Sequence, residues 1–144
     1  MDKRNFVTAV FGVINKQTGK LNIARAGHTP LLHCSGEVMT RLQPAGIGLG
    51  LDYTSNFSNS LKEMEIQLKN NDIIICYSDG IPEAKNSSEE DFGYERLESL
   101  ILNNCDSKLD TISKIIMKEL SVFTQDHSQH DDITLVLFKW IQKN

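Results

Sequence analysis

A chain of 144 residues has the length of one domain and is long enough to bury a hydrophobic core. Its composition is 40% hydrophobic and 24% charged, with a formal net charge of -4. These values exclude a disordered or fibrous protein and predict no basic surface for nucleic acid. No signal-peptide pattern follows the start, and the apolar runs are too short to span a bilayer. We therefore expect a cytoplasmic domain that binds neither nucleic acid nor membrane.

Three widely separated cysteines, Cys34, Cys76 and Cys105, form an odd set without a C-x-x-C pair. This pattern predicts neither a disulfide framework nor a zinc site, and it favours a reducing compartment.

The first part of the chain is rich in short strand-like runs. Residues 6–14 carry β-branched and aromatic side chains, and a polar turn at 16–20 leads into a second run at 21–26. Two further runs, 31–34 and 38–42, flank a Ser-Gly turn. The pattern predicts an antiparallel meander.

The middle of the chain alternates loops and strands. The glycine-rich segment 44–50 predicts a loop. Residues 64–68 alternate apolar and polar side chains, as a half-buried strand does. Residues 73–77 are continuously apolar and too short for a helix, so they predict a central strand covered on both faces.

Helical periodicity comes late. One helix is predicted around residues 94–102, and a clearer one over 109–123, where apolar residues recur at helical spacing. Residues 133–138 then close the chain as a strand. Several antiparallel strands with added helices predict one α+β domain spanning 1–144.

Two acidic positions lie at predicted strand ends. Asp79 follows the central strand directly, and Asp131 and Asp132 precede the last one. Carboxylate oxygens at rigid strand ends suit Mg²⁺ or Mn²⁺. Each position taken alone is more often a simple turn or loop.

Seven segments in order resemble the signatures of stage II sporulation E type phosphatases, which belong to the metal-dependent, type 2C protein phosphatases. The segments are Phe-Val-Thr (6–8), Ala-Arg-Ala-Gly-His-Thr-Pro (24–30), Gly-Ile-Gly-Leu-Gly (46–50), Asn-Asp (71–72), Tyr-Ser-Asp-Gly-Ile-Pro-Glu-Ala (77–84), Phe-Gly (92–93) and Asp-Asp-Ile-Thr-Leu (131–135).

The resemblance implies an antiparallel β-sandwich flanked by helices, with a two-metal site that hydrolyses phosphoserine or phosphothreonine through a metal-activated water. It implies Asp79 and Asp131 as metal ligands, with Asp132 and Gly80 as supporting neighbours. His28 is expected to shape the catalytic side by hydrogen bonding, and no side chain is assigned to proton transfer. His127 and His130 are read as polar loop residues, because the family does not require histidine there.

The family's domain normally opens with a Gly-Asp segment and an Asp-x-x-Gly-His-Gly segment whose aspartate bridges the metal ions, and this sequence contains neither. We therefore interpret the chain as the C-terminal part of the catalytic domain, without its first strands and helices and inactive alone. The resemblance implies a phosphoprotein substrate, such as an anti-sigma factor antagonist.

Two further expectations concern partners. A non-catalytic interaction module that keeps the fold is the alternative function. We also expect a homodimer that closes a sheet edge exposed near residues 6–14.

Overall fold

The computed structural model describes residues 5–51, 56–125 and 131–142. Contacts divide the chain into two compact units: the first contains the described residues of 1–30 and 42–69, and the second those of 31–41 and 70–144. The elements in chain order are β1 (Ala9–Ile14), β2 (Lys20–Ala26), β3 (Leu31–Ser35), β4 (Val38–Leu42), α1 (Asn56–Ser60), β5 (Glu63–Gln67), β6 (Ile73–Tyr77), α2 (Tyr94–Leu102), α3 (Leu109–Thr124) and β7 (Leu135–Lys139).

The first unit contains a three-stranded antiparallel sheet in the order β1-β2-β5. The β1–β2 turn forms because the side-chain oxygen of Asn15 accepts hydrogen bonds from the N–H groups of Gln17 and Thr18. Ile23 is buried on one face of the sheet, whereas Phe11 and Val13 lie on the other face with 63% and 71% exposure. β1 is thus an edge strand with apolar side chains in solvent.

The second unit contains a four-stranded sheet in the order β4-β3-β6-β7. β6 pairs antiparallel with both β3 and β7, which makes it a central strand. Ile73, Ile75 and Tyr77 pack into one core cluster with residues of α2 and α3, and Ile74 is buried on the opposite face. The predicted central strand with both faces covered is therefore confirmed.

Helices α2 and α3 cover one face of this sheet through the apolar stripes predicted from the sequence. Leu97 and Ile101 of α2 are buried, as are Ile112, Ile116 and Leu120 of α3. Full burial of each such side chain is worth about 1.5–3 kcal/mol. The helix layer therefore contributes much of the free energy that holds the second unit together.

Several sequence-based boundaries differ from the structure. The first strand begins at Ala9 rather than Phe6, because Val7 pairs instead with Leu49 in an isolated bridge. The predicted meander is wrong: β2 and β3 belong to different sheets. In the segment between these strands, Gly27 takes a φ of 68°. Pro30 has no backbone N–H to donate to a neighbouring strand. Helix α1 was not predicted, since its segment lacks an apolar repeat.

The expectation that the cysteines stay unpaired is corrected by a disulfide between Cys34 and Cys105. Their Cα atoms are 6.6 Å apart across 71 positions in sequence, within the usual range for a disulfide. β3 packs against the helix layer, and this tertiary contact brings the two residues together. Sequence spacing alone cannot reveal such a pairing.

No helix in the described ranges is long and apolar enough to cross a membrane.

A buried hydrogen bond links β3 to Asp72, the residue that precedes β6. The carboxylate of Asp72, which is 2% exposed, lies 2.8 Å from the Nε2 of His33 on β3. The backbone carbonyl of Asp72 also accepts a hydrogen bond from the N–H of Trp140 beyond β7. Asp72 therefore connects β3, β6 and the end of β7.

We predict that Asp72→Ala lowers the free energy of unfolding by about 3 kcal/mol, because a buried partner loses its hydrogen bond. Asp110→Ala is the matched control, since Asp110 forms an exposed pair with Lys114 on α3; its cost should stay below about 1 kcal/mol. Urea denaturation measures both. Equal losses in the two variants would contradict a structural role for the His33–Asp72 pair.

Candidate metal-binding site

The end of β6 and the start of β7 lie side by side. Tyr77 pairs with Leu135 in the last register position of the two strands. One residue beyond, the N–H of Ser78 donates to the carbonyl oxygen of Thr134 at 3.0 Å. The ladder therefore continues into the two loops that carry the predicted aspartates.

The Ser78 side chain extends this connection. Its hydroxyl donates to the carbonyl oxygen of Asp132 at 2.9 Å and accepts from the N–H of Thr134 at 2.9 Å. A hydroxyl can do both at once, since it carries one donor and two lone pairs. Sequence reasoning missed this residue, although a serine between a strand and an aspartate was the available signal.

Gly80 lies against the loop that carries Asp131 and Asp132. A Cβ at Gly80 would come within 2.6 Å of the carbonyl oxygen of Asp132 and 3.3 Å of that of Asp131. Real Cβ atoms do not approach a backbone oxygen as closely as 2.6 Å. The two acidic segments can therefore meet at this distance only because residue 80 is glycine.

The turn after Asp79 is fixed by its own hydrogen bonds and by burial. The carbonyl oxygen of Asp79 accepts from the N–H of Glu83 at 2.9 Å, and Pro82 accepts from Gly93 at 2.8 Å. Ile81 and Pro82 are fully buried. The backbone that presents Asp79 is consequently held by the core of the second unit.

All three aspartates, Asp79, Asp131 and Asp132, are exposed. The electrostatic influence of Asp79 is seen at Tyr94, the first residue of α2. Burial, followed by the negative charges of Glu83 and Asp79, raises the pKa of the Tyr94 hydroxyl. The raised pKa keeps the Tyr94 hydroxyl protonated, and this residue was not predicted from the sequence.

His28 lies in the first unit, whereas the three aspartates lie in the second. Its Nδ1 is 3.0 Å from the hydroxyl of Thr29, and its carbonyl oxygen accepts from the guanidinium of Arg25. The preceding Gly27 donates its N–H to the carbonyl oxygen of Gly46, so two of the family-like segments contact each other. His127 and His130 lie outside the described residues.

The chemistry of the donor set fits a hard divalent cation, since Asp79, Asp131 and Asp132 offer only oxygen ligands. Within the described ranges, no group of three or more His, Cys, Asp or Glu side chains gathers in a way that could hold a metal ion. The structure brings together the backbones of the two aspartate segments, and carboxylate ligation remains a proposal. Burial raises the pKa of the Cys76 thiol.

We predict that Gly80→Ala lowers the free energy of unfolding by about 2 kcal/mol or more, because a Cβ forces the β6 and β7 loops apart. Gly12→Ala on β1 is the control, since its nearest contacts would lie at an ordinary 3.6 and 3.8 Å. That variant should be neutral or more stable by up to about 1 kcal/mol. A Gly80→Ala protein as stable as Gly12→Ala would show that the loops separate freely.

Comparison with known proteins shows the family to which this sequence belongs. The sequence matches the family profile of stage II sporulation protein E (SpoIIE) over residues 1–141. Protein IcfG of Synechocystis sp. is 32% identical over 137 residues, which is 94% of this chain and 21% of IcfG. Phosphoserine phosphatase RsbU of Bacillus subtilis is 28% identical over 144 residues, covering 96% of this chain and 40% of RsbU. The chain thus spans less than half the length of either relative.

Solved structures share the fold. The SiaA-PP2C domain of Pseudomonas aeruginosa superposes with a TM-score of 0.79 at 20% identity, covering 92% of this chain and 51% of that one. The phosphatase domain of SpoIIE from Bacillus subtilis, presoaked with Mn, gives 0.71 at 20% identity, covering 95% and 58%. The predicted α+β class, with antiparallel sheets and added helices, is therefore confirmed. This chain belongs to the stage II sporulation protein E (SpoIIE) family.

Proposed function

We propose that this chain forms one side of a metal-dependent phosphatase site that hydrolyses phosphoserine or phosphothreonine on a bacterial regulatory protein. The observation that supports it best is the close approach of Gly80 to Asp131 and Asp132. That approach sets two aspartate-bearing strand ends beside each other. The family membership supplies the reaction class.

Asp79 and Asp131 are the residues we propose to hold Mn²⁺ or Mg²⁺, with Asp132 and Gly80 in support. Hard carboxylate oxygens on a backbone fixed by Ser78 would orient the cation with little reorganisation. His28 is proposed to shape the Gly27–Pro30 turn through its contact with Thr29. When bound, the metal would place positive charge against phosphoryl oxygens and lower the pKa of a bound water.

The chain alone is proposed to be inactive. Asp79 and Asp131 are the only direct ligands proposed in this chain, and the segment Asp-x-x-Gly-His-Gly, whose aspartate would supply a further ligand in the family, does not occur in these 144 residues. Chemistry therefore requires that segment to be supplied. The alternative, an interaction module that keeps the fold without catalysis, predicts that restoring the segment has no effect.

The substrate is proposed to be a phosphorylated anti-sigma factor antagonist, in line with the family resemblance. RsbU, one relative, is named a phosphoserine phosphatase. Such regulatory proteins are cytoplasmic, so we place this chain in the cytoplasm. Reducing systems there oppose disulfides, so this placement requires the Cys34–Cys105 bond to be reduced in that compartment.

We predict that this chain binds Mn²⁺ weakly and that Asp79→Asn and Asp131→Asn each abolish the binding. Each substitution removes an anionic oxygen from a metal site that has few protein ligands. Asp110→Asn, an exposed aspartate on α3, is the control and should bind as the wild type does. Isothermal titration calorimetry measures all four proteins. Binding that survives both substitutions would show that the metal ligands lie elsewhere in the chain, and His127 and His130 would be tested next.

The second arm of that experiment restores catalysis. The chain fused to the family's upstream Gly-Asp and Asp-x-x-Gly-His-Gly segments should hydrolyse a phosphoserine peptide with Mn²⁺, and Asp79→Asn should abolish turnover. A fusion that folds and binds Mn²⁺ without turnover would favour the interaction module.

The exposed face of β1 supports the expected homodimer. In the described sheet β1 has β2 on one side only, and Phe11 and Val13 are exposed beside that free edge. Open apolar edges template pairing with another strand. We propose that a second copy of this chain pairs antiparallel along β1, since a two-fold contact is self-complementary.

We predict that light scattering across a concentration series shows a dimer, and that Val13→Lys on β1 makes it monomeric, because an edge lysine blocks strand addition. Val122→Lys is the control: Val122 is 58% exposed on α3, which belongs to the second unit, and its variant should remain dimeric. A wild-type monomer at every concentration would refute the proposal.

A further inference from the structure

A cavity of about 470 Å³ opens in the second unit where β4 meets the start of α2. Its lining combines two arginines, two aromatic rings, one glycine and one glutamate: Arg41, Phe92, Gly93, Tyr94, Glu95 and Arg96. We call it the Arg41–Arg96 pocket. The phosphatase chemistry proposed above uses none of these residues.

Arg96 is held in place by aromatic rings rather than by a carboxylate. Its Cζ lies 4.3 Å from the ring centroid of Phe123 and 5.2 Å from that of Phe92. Among the residues that the structure describes, it forms no ion pair. A guanidinium stacked through its face keeps its N–H groups available in the plane, where they match a carboxylate or phosphate. Arg96 is therefore an exposed cation that packs against two aromatic rings.

Arg41 has a different environment. Its guanidinium pairs with Glu98 of α2 and lies 5.7 Å from the ring centroid of Tyr94. The hydrogen bond to Glu98 raises the pKa of Arg41 and balances its charge locally. Arg41 thus forms a wall of the pocket, and the charge available to a ligand comes mainly from Arg96.

Hydrogen bonds connect the pocket with the turn that carries Asp79. Gly93, which lines the pocket, donates its N–H to the carbonyl oxygen of Pro82 at 2.8 Å, and in the same turn Glu83 donates to Asp79 at 2.9 Å. The ring of Tyr94 also packs edge-on against the buried Tyr77, with centroids 6.5 Å apart. The backbone of the pocket is therefore bonded to the turn that presents the proposed metal ligand Asp79.

We propose that the Arg41–Arg96 pocket binds an acidic side chain that flanks the phosphoserine of the protein substrate. This inference rests on the proposed phosphatase function. The phosphoryl group is directed to the metal ligands, while a carboxylate a few residues away engages the in-plane N–H groups of Arg96. The pocket would then select substrates whose phosphoserine has acidic neighbours.

Glu95 provides a test of whether the pocket recognises the charge of its ligand. It lines the same pocket and is exposed, so it repels an acidic ligand that Arg96 attracts. If the pocket recognises charge, Glu95→Gln strengthens binding and Arg96→Gln weakens it. A purely structural role for these side chains would not produce opposite effects on binding.

The experiment measures fluorescence anisotropy of labelled phosphoserine peptides with the 144-residue chain at low ionic strength. One peptide carries flanking aspartates and glutamates, and the matched peptide carries asparagines and glutamines. We expect the acidic peptide to bind about fivefold more tightly, as a partly exposed ion pair allows. Arg96→Gln should remove this preference, and Glu95→Gln should increase it.

Arg96→Lys is the control for loss of folding, since Arg96 also stacks on two aromatic rings. It keeps the charge without the planar fork, so it should retain part of the preference for the acidic peptide. Circular dichroism checks the fold of each variant. An unchanged peptide preference in folded Arg96→Gln, or no preference in the wild type, would overturn the proposal, as would weaker acidic-peptide binding by Glu95→Gln.

The peptide assay, taken together with the calorimetry of Mn²⁺ binding, separates this inference from the proposed function. Acidic-peptide preference without any Mn²⁺ binding at Asp79 and Asp131 would support the pocket and refute the phosphatase site. Mn²⁺ binding that depends on the aspartates, with a peptide preference that ignores Arg96, would refute the pocket alone. An unphosphorylated acidic peptide, bound through Arg96 as well as its phosphorylated form, would show that the carboxylates are the group recognised.

Discussion

The close approach of two loops beyond the β6–β7 pair is the constraint on which the candidate site depends. The strands fix the direction of both loops, and the Ser78 hydroxyl continues their hydrogen bonding past the last residue of the ladder. Gly80 then removes the one Cβ that would hold the loops apart. Asp79 and Asp131 are 52 positions apart in sequence, yet their neighbours touch because these three local features act together.

This approach is stable because the flanking turn is part of the core. Ile81 and Pro82 are fully buried, and Gly93 donates a hydrogen bond back to Pro82 just before α2 begins. The helix that covers the sheet therefore starts from the same turn that presents Asp79. Packing of α2 and α3 on the sheet limits how far that aspartate can move, which is the preorganisation that ligand binding needs.

Features that are local in sequence could be predicted, and features that depend on distant contacts could not. The apolar run of β6 and the helical repeat of α3 report burial directly, so both elements appeared where expected. The division into two sheets could not be predicted from the sequence, because a strand-like run does not reveal which strand it will pair with. The predictions for the cysteines and for the start of the first strand were wrong for the same reason. The Cys34–Cys105 pairing and the start of β1 at Ala9 each depend on a contact with a residue far away in the chain.

The candidate site shows the same division. The family signatures single out Asp79, Gly80 and Asp131 as candidates, because those residues lie in short motifs. Tyr94 and Arg96 lie in a helix whose sequence pattern reports only its buried face, so their place in the Arg41–Arg96 pocket could not be predicted. The two arginines of that pocket are held differently: Arg41 is paired with Glu98, and Arg96 packs against Phe92 and Phe123. As proposed, the aspartates and Arg96 would each take a different group of one ligand. A phosphoprotein segment carries a phosphoryl group and acidic neighbours, and both are anions. The aspartates can accept the phosphoryl group only through a cation, whereas Arg96 needs none. In the proposed site a metal would therefore be needed at the strand end, whereas the proposed contact with Arg96 would not involve it.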